Sequence, residues 1–211
     1  MVEAGRYKHI LVVGAEVHSA ALDLSTRGRT VACLFGDGAG AVVVSTTQDP
    51  SRGMRTWNLG ADGRYADILC QRVWDMSRRP FVQTDDEGNA MIPADELYAY
   101  MDGSTVFRHA ITRMTQSLKQ SLQADSGNIE DIDLFFFHQA NLRLNQMVAK
   151  QLELDADKLV HNITRYGNTT AATIPLLINE AVKTGRLKPG MRVAMVAFGS
   201  GFTWGSAVMD W

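Results

Sequence analysis

From Ile132 to Phe137 the chain is apolar but for Asp133, and it then turns abruptly polar at His138-Gln139-Ala140-Asn141. A helical spacing follows from Leu142 to Leu152. A short apolar run of this kind fits a strand buried on both faces, and a strand handed directly to a helix is the unit of a helix-covered sheet. The unit recurs. Leu159 to Ile163 reads as a short strand, Gly167-Asn168-Thr169-Thr170 as a polar turn, and Ala171 to Thr184 as a helix with Pro175 near its start, where proline is tolerated. This alternation predicts an α/β fold with a mostly parallel sheet.

Ile10 to Ala15, Val31 to Phe35 and Ala41 to Val44 read as further buried strands, the last two separated by Gly36-Asp37-Gly38-Ala39-Gly40. From Gly53 to about Pro93 the chain is polar, with Gly, Asp, Arg and Pro among isolated aromatics, and reads as a long surface excursion suited to capping a pocket. Gly103 to Leu122 carries one apolar stripe at helical spacing, Val106, Phe107, Ala110, Ile111, Met114 and Leu118. The chain closes with strands from Met191 to Ala197 and from Trp204 to Trp211 around Phe198-Gly199-Ser200-Gly201. That ending echoes Phe35-Gly36-Asp37-Gly38 before Ala41, which suggests two duplicated halves.

At 211 residues, 45% hydrophobic and 21% charged, the chain can bury a real core in one large domain or two small ones. A net charge of −2 excludes a whole-surface nucleic-acid footprint, so an anionic partner must use a local basic patch. No apolar run approaches the roughly 18 residues of a membrane span, and Met1 to Arg6 lacks the order of a signal peptide. The cytoplasm is the expected compartment, with no membrane partner. Cys33 and Cys70 form neither a disulfide framework nor a CxxC site.

His138 follows a buried strand, and strand ends are where open α/β sheets place ligands, although a lone histidine there is commonly structural. Asn168 lies in the second strand-to-helix turn after Gly167, where it could equally serve as an N-cap. An imidazole N–H and a carboxamide N–H₂ brought to one point would stabilise an enolate or thioester oxyanion without adding a nucleophile. The glycine cluster leads into Ala41-Val42-Val43-Val44 rather than a helix, so it is not a dinucleotide-binding turn. No GxSxG, Walker, HExxH or EF-hand pattern supports metal or phosphoryl chemistry. Cys33, placed mid-strand, reads as a buried hydrophobe, and Cys70 has no helix N-terminus beside it to favour a thiolate.

His138-Gln139-Ala140-Asn141-Leu142-Arg143, Gly167-Asn168-Thr169-Thr170-Ala171-Ala172, Phe35-Gly36-Asp37-Gly38-Ala39-Gly40-Ala41 and Gly201-Phe202-Thr203-Trp204-Gly205 stand in an order and spacing that resemble ketoacyl-acyl-carrier-protein synthase III. The resemblance runs from about Tyr7 to Trp211. It implies a thiolase-like mixed sheet covered by helices, with residues 1–95 completing an N-terminal half plus a surface excursion and residues 96–211 forming the C-terminal half. It implies decarboxylative condensation of an acyl-CoA with malonyl-carrier protein in fatty acid or related polyketide synthesis, with no cofactor beyond those thioester substrates. His138 and Asn168 match the pair that binds the thioester carbonyl, and the backbone N–H of Ser200 matches an oxyanion donor where the family commonly has glycine. Gly103, Ser104, Phe107, Ala140, Asn141 and Phe198 match the pantetheine channel and acyl pocket, and Arg27 a position near the CoA nucleotide. Arg108 and Arg143 match positions that dock the acidic carrier protein; a solvated helix face is the ordinary alternative. In the family the cysteine nucleophile precedes the segment matching Ile10 to Glu16, so the chain is expected to lack it. That leaves open a catalytically incomplete fragment or a subunit completed by a nucleophile-bearing chain, a homodimer, and an acyltransferase of the same fold that forms esters or amides. Standing alone, the chain would expose the surfaces that the missing strands and helix cover in the family, which favours aggregation or tight oligomerisation.

Overall fold

The computed structural model describes residues 1–73 and 83–211. Strand β1 (His9–Glu16) is followed by a one-turn helix α1 (Arg29–Ala32) and by strands β2 (Gly38–Ser45) and β3 (Gly53–Ala61). The middle of the chain holds two-residue strands β4 (Leu69–Cys70), β5 (Gln83–Thr84) and β6 (Ala90–Met91), the short helix α2 (Ala94–Leu97) and β7 (Tyr100–Met101). Then come α3 (Gly103–Ala124), β8 (Leu134–Phe137), α4 (Leu142–Gln151), α5 (Ile163–Tyr166), α6 (Thr173–Lys183), β9 (Arg192–Gly199) and β10 (Thr203–Asp210).

The main sheet has the order β3-β10-β9-β8, with β8 parallel to β9 and β10 antiparallel to both of its neighbours. It is mixed rather than mostly parallel. The turn between β9 and β10 is too short for a crossover, so the chain returns as a hairpin. Phe135, Phe137 and Val196 point to one face, against Met114 and Leu118 of α3 and Val148 of α4. Leu134, Phe136 and Val193 point to the other, against Leu177 and Ala181 of α6. β8 thus lies between two cores, which is why its sequence is apolar at every position.

Helix α3 starts where the Asp102 carboxylate accepts the N–H groups of Ser104 and Thr105, each at 3.1 Å. Its buried stripe runs through Ala110, Ile111, Met114, Leu118 and Leu122, and each large side chain removed from water contributes about 1.5–3 kcal/mol. The stripe packs on β9, β10 and β3.

Four expectations are corrected. The irregular excursion starts later than expected, because β3 pairs with β10. Its inward residues are polar: Thr56 Oγ1 donates to Ser121 O at 2.9 Å, and Asn58 Oδ1 accepts from Ser117 Oγ at 2.9 Å. Its outward residues Trp57 and Leu59 are 62% and 77% exposed, so the usual alternation is inverted and gave no strand signal. Residues 74–82, also in that stretch, lie outside the described residues. Val31 to Phe35 is not a strand. Val31 and Ala32 donate to Gly28 O at 2.9 Å to form α1, and only Phe35 bridges, to Asn168. Cys33 is therefore an exposed residue at a helix end and not a buried mid-strand one. Leu159 to Ile163 shrinks to one bridge between Leu159 and Phe135, because Gln139 Oε1 takes the N–H groups of Asn162 and Ile163, both at 3.2 Å.

The fourth correction concerns β1 and β2, which form an antiparallel ribbon in register from His9↔Ser45 to Glu16↔Gly38. One face lies on α6 and on a 3-10 turn at Thr170–Ala172. On the other, Leu11, Val13 and Val43 are 64%, 59% and 66% exposed, so the strands are half-covered and not buried. Glycine makes the covered face possible. A Cβ on Gly14 would stand 2.7 Å from Ala171 O, and one on Gly36 would collide with Tyr166 O. The glycine cluster is a site of close backbone approach to the segment that carries Asn168. Among the described residues no helix is long and apolar enough to cross a membrane.

Candidate active site

His138 follows β8, its N–H donating to Val196 O at 2.9 Å so that the ring is carried on the end of the sheet. Its Nδ1 lies 2.8 Å from Thr173 Oγ1, at the start of α6. Burial pushes the imidazole down from 6.5 to about 4, so it is neutral at physiological pH. Asn168 is fixed by its backbone to the ribbon's approach, its N–H donating to Leu34 O at 2.8 Å and its C=O accepting Gly36 N–H at 3.0 Å. Gly167, at φ +68, turns the chain into this position. The Asn168 side chain is almost buried, and Oδ1 accepts Thr170 N–H at 2.8 Å. Asn168 is therefore not an N-cap, since Thr169 and Ala172 stand at the starts of the 3-10 turn and of α6; its bond is a local Asx turn that occupies only the oxygen and leaves Nδ2 as a donor beside the cavity.

Thr173 ties the two residues together. Its hydroxyl also lies 2.9 Å from Thr170 O, which already accepts the Thr173 N–H. The single hydroxyl proton sets the ring tautomer. When it goes to His138 Nδ1, Nε2 carries the ring proton, and Thr170 O still keeps one donor, so no buried carbonyl is orphaned.

A cavity of about 480 Å³ opens at this point, lined by both His138 and Asn168. Ser200, in the turn after β9, faces the same space. Gly103 and Phe107 of α3, Ala140 and Asn141 before α4, and Phe198 of β9 line it as well. The lining is predominantly apolar, which strengthens any hydrogen bond made to charge inside it. Asn141 also caps α4, its Oδ1 accepting Arg143 N–H at 2.9 Å. Ser104 lies outside the cavity lining and is occupied with Asp102 at the start of α3.

The three arginines stand apart from the cavity wall. Arg27 is paired to Asp23 at 2.6 Å and lies over the Tyr98 ring at 5.5 Å. It lines a second hollow, of about 250 Å³, which shares Thr30, Ala99 and Met101 with the main cavity. Arg108 is exposed on α3, with Nη2 donating to Thr105 Oγ1 at 3.2 Å, and Arg143 is exposed in the first turn of α4. Among the described residues no cluster of three or more His, Cys, Asp or Glu is arranged to hold a metal ion.

Sequence reasoning missed His18, Thr170 and Thr173; Cys70, which lies in the stretch expected to cap a pocket, lines the cavity with Leu69 and Gln71. His18 was detectable by the rule that singled out His138, because it too lies just beyond a strand. The two threonines carry no signal beyond their ability to hydrogen-bond locally.

Residues 1–63 match the family model for 3-Oxoacyl-[acyl-carrier-protein (ACP)] synthase III, and residues 122–211 match its C-terminal counterpart. The chain is 39% identical over 208 residues to the beta-ketoacyl-[acyl-carrier-protein] synthase III of Pectobacterium atrosepticum, covering 99% of this chain and 60% of that protein. It is 42% identical over 210 residues to the Clostridium acetobutylicum protein of that name, covering 100% and 61%. The fold is similar to the Thermus thermophilus synthase III crystal structure, with a TM-score of 0.86 at 38% identity, over 100% of this chain and 61% of that one. The chain therefore spans about 60% of the length of the curated relatives it matches. With both family models matched in order and the mixed, helix-covered thiolase-like sheet shared, the chain belongs to the 3-oxoacyl-[acyl-carrier-protein] synthase III family.

Proposed function

We propose that this chain supplies the malonyl half of a decarboxylative condensation between an acyl-CoA and malonyl-acyl carrier protein, in fatty acid or related polyketide synthesis. The observation that supports it is the meeting of a neutral imidazole and a carboxamide in one apolar cavity, each fixed by a bond on its far side. A malonyl thioester would place its carbonyl oxygen between His138 Nε2 and Asn168 Nδ2. The bond to the carboxylate carbon then breaks, CO₂ leaves, and the electron pair forms an enolate whose oxygen takes the charge. Two preorganised donors stabilise that oxygen without reorganising. The Ser200 backbone N–H is the third donor in this reading, serving the later tetrahedral oxyanion.

The cavity walls at Gly103, Phe107, Ala140, Asn141 and Phe198 accept the pantetheine arm and acyl chain, with Ser104 at the α3 end. Arg27 and its adjoining hollow take the CoA nucleotide. Arg108 and Arg143 present paired donors to an acidic carrier protein. A second copy or a nucleophile-bearing chain would cover the bare face of Leu11, Val13 and Val43.

The test is CO₂ release from a malonyl thioester by the purified protein. Asn168→Ala is expected to lower the rate by about a hundredfold or more, on the scale of one oxyanion donor, while the chain still folds cooperatively. Decarboxylation at the parental rate would remove Asn168 from the chemistry.

A further inference from the structure

Both candidate donors hang from a single residue, Thr170. Its N–H holds the Asn168 carboxamide oxygen at 2.8 Å, and its C=O accepts the backbone N–H of Thr173, the residue whose hydroxyl meets His138 Nδ1 at 2.8 Å. Yet Thr170 sits at φ +42, a left-handed conformation that a β-branched residue strongly disfavours. Left to itself the residue would relax to negative φ and carry its N–H and C=O away from both partners. Something outside the turn must hold it.

His18 is placed to do so. It lies two residues past β1, and its Nε2 is 2.8 Å from Thr170 Oγ1 across 152 residues of chain. Its ring packs on Phe35 at 4.6 Å, and the Glu16 carboxylate lies 4.0 Å from Nε2. Phe35 is itself bridged to Asn168, so the imidazole is held by the element that holds the carboxamide. His18 and Thr170 both line the cavity.

We infer that His18 is a positioning residue: by its hydrogen bond to the Thr170 hydroxyl it holds the left-handed turn that aims the Asn168 carboxamide and the His138 imidazole at one point. This rests on the enolate-stabilising reading of those two side chains. His18 acts through Thr170 and does not itself touch the reacting atoms.

Three variants and one background test it, with CO₂ release from a malonyl thioester and the ¹⁵N resonances of the His138 ring as readouts. His18→Leu is expected to lower kcat about tenfold, with KM within about twofold, and to shift the His138 ring resonances, because misaimed donors weaken transition-state binding more than substrate binding. His18→Gln, whose carboxamide can reach the same hydroxyl, restores most of the rate. In a Thr170→Gly background, where the left-handed conformation carries no penalty, His18→Leu should have almost no further effect. The inference is overturned if His18→Leu retains parental kcat and ring resonances, if His18→Gln is no better than His18→Leu, or if His18→Leu has equal effects in both backgrounds. Asn168→Ala, assayed alongside, separates the two claims. An impaired Asn168→Ala with a parental His18→Leu sinks the positioning role alone, whereas a parental Asn168→Ala sinks the enolate reading beneath it.

Discussion

The ribbon and the main sheet both contain eight-residue strands, β1 and β2 in one and β9 and β10 in the other, yet only the sheet is packed on both faces, at β8 and β9. Apolar content does not explain the difference, since β1 carries Ile10, Leu11, Val12 and Val13 in succession. What differs is the partner. The sheet is covered by α3 and α4 on one side and α6 on the other, whereas the ribbon is held on one side by backbone-to-backbone approach at glycine positions. A strand's environment is set by what packs on each face, and the ribbon's one covered face is the one that supports the Asn168 turn.

If that contrast is right, mutations should divide into global and local effects. The largest is expected at Phe135, fully buried on β8, where Phe135→Ala should cost about 3–5 kcal/mol, read as a lowered urea midpoint for the whole chain. Gly36→Ala should cost less, about 1–3 kcal/mol, because the added methyl must push the Tyr166 carbonyl aside. Hydrogen exchange would then quicken in β1, β2 and the Asn168 turn while β8 and β9 stay protected.

Acidification gives a third comparison. Burial holds the His138 imidazole down from 6.5 to about 4, so between those values the unfolded chain binds a proton that the folded one refuses. Stability from this group is intact above about 6.5 and declines as the pH falls toward about 4. Urea midpoints across that window should show the decline, and His138→Gln should flatten it. The smallest effect is expected at Leu11 on the bare face. Leu11→Lys should change stability by no more than about 0.5 kcal/mol while reducing self-association in sedimentation velocity, and a severe loss of stability would mean the face is covered after all.

Helices α3, α4 and α6 and the sheet's interior strands were legible in the sequence because their physics is periodic: the α3 stripe and the β8 run each face a core that demands apolar residues. β3 was illegible because its inward residues satisfy α3 through hydrogen bonds, with Thr56 and Asn58 where a pattern search expects valines. The Val31–Phe35 run was ambiguous, since five apolar residues suit a helical turn as well as a strand. At the site, His138 and Asn168 were found through strand ends and motif order, and both line one cavity. His18 joins them only through contacts across 152 residues, which spacing along the chain does not encode.

β8 offers a last consequence. A strand greasy on both sides gains nothing from one alignment over the next, since sliding it by a single residue merely exchanges phenylalanines between the two cores. The alignment is instead pinned at its ends. At one end Asp133 exchanges bonds with Arg192, its carboxylate accepting that N–H at 2.7 Å and its own N–H donating to Arg192 O at 2.8 Å. At the other, the His138 N–H reaches Val196 O. The aim of the imidazole thus depends in part on a surface aspartate at the far end of the strand, a residue that never approaches the cavity.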